Sequence, residues 1–349
     1  MPSQPLQHRV DALIERCYAG LDDAALRREV ASRLKALAGV DAAFVATVDP
    51  ATLLFTSAIS EDPLIEAAPA FLANELDGRD VNRFVDLAAG PDPARTLDEA
   101  TRGDRDSSAR HAAIMRPLGL GDELRVALRT RHACWGVMCL HRQAGATGFS
   151  ALDRDIVARI APHVAEGLRR ALLAGQARDP HPALGQGVVI LDASGSVTAV
   201  NDAAERWLAQ IPESDWPSSC QLPLPLLAAA NHAGAAPEHP APTVRLRTIR
   251  GDWLSVHASQ LHGGERSTVL ILEEPGPGEL TSLILASHGV TGAQGRVVAL
   301  VLRGYSTKQI VGQLAISQYT VQEHLRAVFD KLGVRSRQEL AAALMRPSR

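Results

Sequence analysis

The last seventy residues constrain this chain more than any other stretch, because helix starts, helix stops and a tight turn fall there at fixed spacings. Thr291 is followed three residues later by Gln294, Ser306 by Gln309 and Ser336 by Glu339. Each spacing fits a capping box, in which two side chains satisfy orphan amides at a helix start. Ser317 is a fourth N-cap, without an acidic or amide partner at Thr320, and Gly304 and Gly333 sit where helices should stop. The spacing predicts helices over 292–303, 307–314, 318–331 and 337–345. Only Ala315 and Ile316 separate the second from the cap of the third.

The apolar positions agree with those limits. Val297, Leu300 and Val301 line one helix, Ile310 and Leu314 the next, and Val321, Leu325, Val328, Phe329 and Leu332 the third. That is the three-and-four spacing of a buried helical face. Two helices joined by so short a turn follow the helix-turn-helix plan, whose second helix enters a major groove. The outer face of that second helix carries Gln318, Tyr319, Gln322, Glu323, Arg326 and Asp330. Gln322 can pair with adenine, Arg326 with guanine, and Glu323 can accept from cytosine. Lys308, Ser317, Thr320 and Lys331 are placed for phosphate oxygens. From Leu280 onward nine Lys or Arg stand against three Asp or Glu, a balance of +6; the whole chain is −3, which leaves −9 on residues 1–279. A basic module on an acidic body points to a polyanion as partner of the module.

The phrases GYSTKQIVGQLAIS, YTVQEHLRAVFDKLGV and RSRQEL together resemble the C-terminal DNA-binding domain of the LuxR family of bacterial transcription regulators. The resemblance places Gln322, Glu323 and Arg326 at base-reading positions, and Thr320, His324 and Lys331 near the DNA backbone. It also implies a fourth helix that supplies a dimer contact in the family. The first helix departs from the family's Leu-Thr-x-Arg-Glu-x-Glu opening, reading Val290, Thr291, Gly292, Ala293, Gln294, Gly295, Arg296. The charged side chains that usually tie this helix down are missing, and Gly295 lowers its propensity.

At 349 residues the chain suits two or three domains. No uninterrupted apolar run approaches the roughly 20 residues needed to cross a bilayer. The start lacks a basic region followed by an apolar stretch. A cytoplasmic protein with no membrane partner is therefore expected. Cys17, Cys134, Cys139 and Cys220 form no disulfide framework and no zinc pattern. His132 with Cys134, and Cys139 with His141, share strand faces as pairs, which falls short of a four-ligand site.

Residues 5–38 read as helical, with stripes through Leu6, Val10, Leu13, Ile14 and Cys17 and then Leu26, Val30, Leu34 and Leu37. AAFVATV and TLLFTSAI read as a hairpin, followed by helices near 62–76 and 80–88. Residues 89–112 are poor in apolar content, and Arg102, Arg105 and Arg110 are matched by nearby acids, so the segment reads as a loop or partly helical excursion that is solvated. DELRVALRT and CWGVMCLHR are strands, and a long helix over 150–172 carries Leu152, Ile156, Ile160, Val164, Leu168 and Leu172. CWGVMCLHR and GFSALDRDIVARIAPHVAEGL resemble a GAF sensory domain, with flanking helices over 1–173. A linker follows at 174–184. GQGVVILDASGSVTAVNDAAERWL resembles the start of a PAS domain, here 185–274, in which Trp207, Trp216 and Trp253 either line a pocket or fill a core. The DNA-binding domain then takes 280–349. The expected class is α+β multidomain: two mixed sensory domains followed by an all-α four-helix domain.

No nucleophile elbow, phosphate loop, zinc-protease or dinucleotide motif is present, so an enzyme is not expected. The expected function is a DNA-binding transcription regulator under control of an unidentified signal. Its expected partner is double-stranded DNA, bound as a homodimer with the helices at 5–17 and 150–173 as candidate dimer surfaces, and RNA polymerase is a further partner to consider. No cofactor is identified, and a small-molecule effector would act on the sensory regions. The competing reading is a dimeric scaffold or signalling protein that binds no DNA.

Overall fold

Two antiparallel sheets of five strands carry the body of the chain, and they have the same strand order. The computed structural model describes residues 6–174, 184–219, 221–235, 243–261 and 266–345. Most of the expected linker and Cys220 lie outside the described residues. The first sheet uses β1 (Ala42–Val48), β2 (Phe55–Ser60), β3 (Ala94–Thr96), β4 (Leu120–Arg129) and β5 (Cys134–Gln143), ordered β2-β1-β5-β4-β3. The second uses β6 (Gly187–Leu191), β7 (Val197–Val200), β8 (Val244–Arg247), β9 (Trp253–Leu261) and β10 (Ser267–Glu273), ordered β7-β6-β10-β9-β8. Both sheets belong to one compact unit, Met1–Thr130 with Cys134–Glu274, and Arg131–Ala133 with Pro275–Arg349 form the other.

The first sheet is covered on both faces. On one lie α1 (Leu6–Cys17), α2 (Asp23–Ala38) and α6 (Ala151–Ala174), on the other α3 (Leu64–Asp77) and α4 (Phe84–Ala89). Nine of the ten residues of β4 are buried, so its polar side chains do not reach water. The even-numbered residues Leu124, Val126, Met138 and Leu140 face α6. Gly136 is on that side, and a Cβ there would meet Ala46 O at 2.6 Å and Leu168 Cδ1 at 2.9 Å. Only glycine lets α6 sit this close to the sheet.

Two expectations for this region change. Residues 89–112 are partly helical, as one of the two readings has it, but they are not solvated throughout, since Ala94, Thr96, Leu97, Ser108, Arg110 and His111 are buried. They contain β3, α5 (Leu97–Thr101) closed by a capping box between Thr96 and Glu99, and one π turn at His111–Met115. Arg110, expected in water, has a side chain only 1% exposed and donates to Glu123 Oε2 at 2.8 Å. The α6 stripe also starts later than expected, because Leu152 is 61% exposed while Val157, Ile160, Ala161, Val164 and Leu168 are buried. Steps of four residues overshoot a helical turn by about 40° each, so positions 152 and 172 lie roughly 200° apart and cannot share a face.

The second sheet packs with α7 (Asp202–Leu208), α8 (Trp216–Ser219) and α9 (Leu224–Ala235). Asn201 caps α7 by accepting from Ala204 N at 2.9 Å, as its position in the sequence implies. Trp207 is a core residue, 2% exposed, with its indole N–H on Gly185 O at 2.9 Å. Helix α9 reads LPLLAAANHAGA, apolar on nearly every side. Such a helix has to be buried all round, and α9 packs against β9 and β10 of the second sheet and against β2 and α3 of the first. One hydrophobic cluster therefore runs from Phe55, Leu72 and Phe84 through Leu226 to Leu254 and Leu270. Arg27 adds a polar tie across the same boundary, meeting Glu213 at 3.0 Å and Ser57 Oγ at 2.9 Å.

Candidate nucleic-acid interface

Among the described residues, five helices make up the second unit: α10 (Thr281–Ser287), α11 (Gly292–Leu302), α12 (Thr307–Leu314), α13 (Gln318–Leu332) and α14 (Arg337–Met345). The last four match the expected spans to within a residue. Capping boxes form at Thr291/Gln294 and at Ser306/Gln309. Ser317 Oγ accepts from Thr320 N at 3.0 Å, and its hydroxyl lies 2.9 Å from that of Thr320. At α14 only half of the box forms. Ser336 Oγ accepts from Glu339 N at 3.1 Å, but Glu339 reaches back to Arg335 N at 2.8 Å rather than to the cap residue.

Val297, Val298, Val301, Ile310, Val321, Leu325, Val328 and Leu340 form the buried core, and Ile316 packs against it from the turn. The turn closes through Ala315, whose backbone is left-handed at φ 51° and ψ 42°. A Cβ in that conformation is strained by about 1–2 kcal/mol, so the turn geometry holds without the glycine that would favour it.

With the core below, α13 presents Gln318, Tyr319, Gln322, Glu323 and Arg326 to solvent, and Tyr319 is 72% exposed. Among the described residues, the side chains of Gln322, Glu323 and Arg326 make no hydrogen bond or ion pair within the protein. Thr320 and His324 are half-buried along the edge of this face. Lys308 is exposed in the first turn of α12. No acidic residue stands in the first turns of α11, α12 or α13, whereas α2 carries one there and α5 and α7 carry two each. The N-terminal ends of α12 and α13 keep their positive dipole ends unneutralised, an arrangement that favours an external anion.

Lys331 stands apart from the other nine expected contacts. Its ammonium donates to Gly289 O at 2.7 Å and to Gln294 Oε1 at 2.8 Å. It ties the end of α13 to the start of α11, where the charged residues expected of this helix are absent. Gln294 thereby serves both its own cap and Lys331. Arg337, which sequence reasoning missed, likewise ties α14 to α12 through Tyr305 O at 3.0 Å and Thr307 Oγ1 at 2.8 Å. Nothing local in the sequence signals either contact.

Residues 292–344 match the family described as "Bacterial regulatory proteins, luxR family". The helix-turn-helix at the end of the chain is a LuxR-type domain. A similar segment occurs in the HTH-type transcriptional regulator MalT of Serratia proteamaculans (strain 568), 38% identical over 56 residues. That segment is 16% of this chain, and the chain spans only 6% of that relative's length. Among solved structures, Escherichia coli SdiA is similar at 12% identity and a TM-score of 0.36, covering 96% of both chains. The phycoerythrobilin-bound GAF domain of a cyanobacterial phytochrome is similar at 12% identity and a TM-score of 0.35, covering 49% of this chain and 98% of that one. Among the described residues no helix is long and apolar enough to cross a membrane.

Proposed function

We propose that the protein is a cytoplasmic, sequence-specific DNA-binding transcription regulator, and that the two-sheet unit controls it in response to a signal. The observation that carries this reading is the face of α13. Gln322, Glu323 and Arg326 are exposed and unspent inside the protein, above a closed core, on the second helix of a LuxR-type helix-turn-helix. Side chains of these three types read base edges in a major groove. Lys308, Ser317 and Thr320 at the starts of α12 and α13 then orient the domain on phosphates.

In this reading the regulator binds as a homodimer, and its operator is a palindrome that mirrors the two-fold axis. Control by a signal is a population shift, so the effector has to bind the DNA-competent and the silent arrangement with different affinities. The test is selection from a random duplex pool with the full chain, followed by binding at two salt concentrations. Enrichment of a palindrome, with affinity falling as salt rises, is the expected result. If neither the full chain nor residues 275–349 alone enriched a sequence or bound a duplex at low salt, the protein would be a scaffold instead.

A further inference from the structure

Among the described residues, most of the buried polar side-chain atoms without a hydrogen-bond partner lie in one place. Ser60 Oγ, Arg125 Nε and Nη1, and His141 Nδ1 belong to three side chains that line a single cavity. The cavity lies between α3 and the face of the first sheet opposite α6. Odd-numbered residues of β4 and β5 and the even-numbered Phe44 of β1 build its floor. Phe44, Cys139 and Arg125 stand side by side on β1, β5 and β4. The rest of the wall is apolar and includes Phe55, Phe71 and Phe84. Arg125 lies flat on Phe84, its Cζ 3.8 Å from the ring centre, with Nη2 2.8 Å from Glu75 Oε2. Orphaned donors and acceptors cost about 1–3 kcal/mol each when buried. Their concentration around one apolar void marks a place where another molecule completes the bonding.

The charge around the cavity narrows that molecule's chemistry. Arg110 and Arg125 face Asp80, Glu75 and Glu123. His141 is neutral, because burial pushes its imidazole down to about 4, and burial holds the Cys139 thiol up at about 12. A negative head would add a fourth anion to two guanidiniums, and a positive head would meet those guanidiniums directly. Glu123, Cys139 and His141 also bring three potential metal-ligand atoms within 4.8 Å of one another. Arg110, at 2.8 Å, already occupies the Glu123 carboxylate and opposes a cation there.

We propose that this cavity is the effector site of the sensory unit, and that it takes a small, uncharged molecule with an aromatic body and a head that both accepts and donates hydrogen bonds, as a carboxamide does. The head accepts from Arg125 and donates to Glu75 or Ser60, while the ring lies among the phenylalanines. The proposal rests on the regulator reading above. About 40 Å³ of the cavity is open to the centre of a water-sized molecule, whereas a benzene-sized void is about 150 Å³. Binding therefore has to move a wall. That wall is α3, where Phe71 and Ala68 are only half-buried, and α3 packs on α9, whose Leu224 also lines the cavity. A ligand that enters displaces the helix common to both sheets.

The test compares benzamide, benzoate and benzamidinium binding to the full chain by calorimetry and ligand-detected NMR. The three share a ring and a planar head and differ in charge and in donor–acceptor pattern. Benzamide is expected to bind, with the two ions at least about tenfold weaker, a difference of roughly 1.4 kcal/mol. Ala68→Phe, which fills the void from its half-buried wall, should abolish benzamide binding while the circular dichroism and melting of the protein stay unchanged. Arg125→Met should weaken binding at least tenfold if the variant folds. Benzoate or benzamidinium binding as tightly as benzamide, undiminished binding to Ala68→Phe, or no binding of any of the three would overturn the proposal. Duplex affinity of the same samples is measured separately, so loss of DNA binding with benzamide binding intact would count against the regulator reading alone.

Discussion

Arg245 and Asp49 meet through two parallel hydrogen bonds of 2.7 Å, with both side chains buried, at the boundary between the two sheets. The pair joins β8 to the turn after β1. A bidentate guanidinium–carboxylate pair is geometrically specific, and removing one partner strands a buried charge. Asp49→Ala should therefore destabilise the protein by about 3–5 kcal/mol, whereas the double variant Asp49→Ala with Arg245→Met should recover much of that loss. Urea denaturation of both variants checks this. A loss below about 1 kcal/mol in the single variant would mean that the pair is solvated in the folded protein.

His141 gives stability a pH dependence whose sign is fixed. Its folded-state value lies at about 4, below the unfolded value near 6.5, because burial disfavours the imidazolium more than Glu123 favours it. The folded state prefers the neutral ring, so the contribution is full above about 6.5 and is lost as pH falls toward 4. Arg110 and Arg125, from the segment after α5 and from β4, act in the same direction as burial. The contribution is at most on the order of 3 kcal/mol. Denaturation at pH 7 and pH 4.5 should show a smaller drop for His141→Leu than for the parent protein, and equal drops would place the ring in contact with water.

Arg326 reads a base in the proposed complex. Arg326→Ala should cost roughly 1–3 kcal/mol at the selected operator and relax preference at one position of each half-site. Equal loss on every duplex would make Arg326 a phosphate contact.

For Lys331 the geometry separates two roles. If its bonds to Gly289 and Gln294 are its task, Lys331→Met should lower the stability of the helical unit by about 1–3 kcal/mol and leave the salt slope of DNA binding unchanged. A slope smaller by about one, with melting unaffected, would place it on a phosphate.

Ala315 occupies a left-handed position with a side chain attached. Ala315→Gly relieves the strained Cβ but frees the unfolded chain, so the net gain should be modest, up to about 1 kcal/mol. Thermal melting decides it, and a destabilised glycine variant would show that the Ala315 methyl is packed.

The helix-turn-helix unit was legible in the sequence because its determinants are local. Thr291, Ser306 and Ser317 cap residues three positions on, and no distant contact is needed to read them. The strands β1, β4 and β5 were legible for the same reason. What they face was not. Glu123, Arg125 and His141 alternate with apolar residues as on a solvated sheet face, yet α3 and α4 cover that face. The partner that makes Arg125 tolerable, Glu75, lies fifty residues away. Arg110 was misread because only its pairing with Glu123 reveals its burial. Three-residue β3 has too short a pattern to register as a strand. In the candidate interface, the exposed face of α13 followed from helical period alone, while the tie from Lys331 to α11 is tertiary and left no trace in spacing.

Helix α9 completes the interiors of two sheets at once, and this decides how the chain can be divided. A fragment ending at Ala174 would leave Phe55, Leu72 and Phe84 facing water, and a fragment beginning at Leu184 would expose the other flank of α9. Neither piece is a folding unit of its own. Fragments cut between the two sheets should be insoluble or associate through that flank, and the smallest dependable piece of the two-sheet unit runs from α1 to β10.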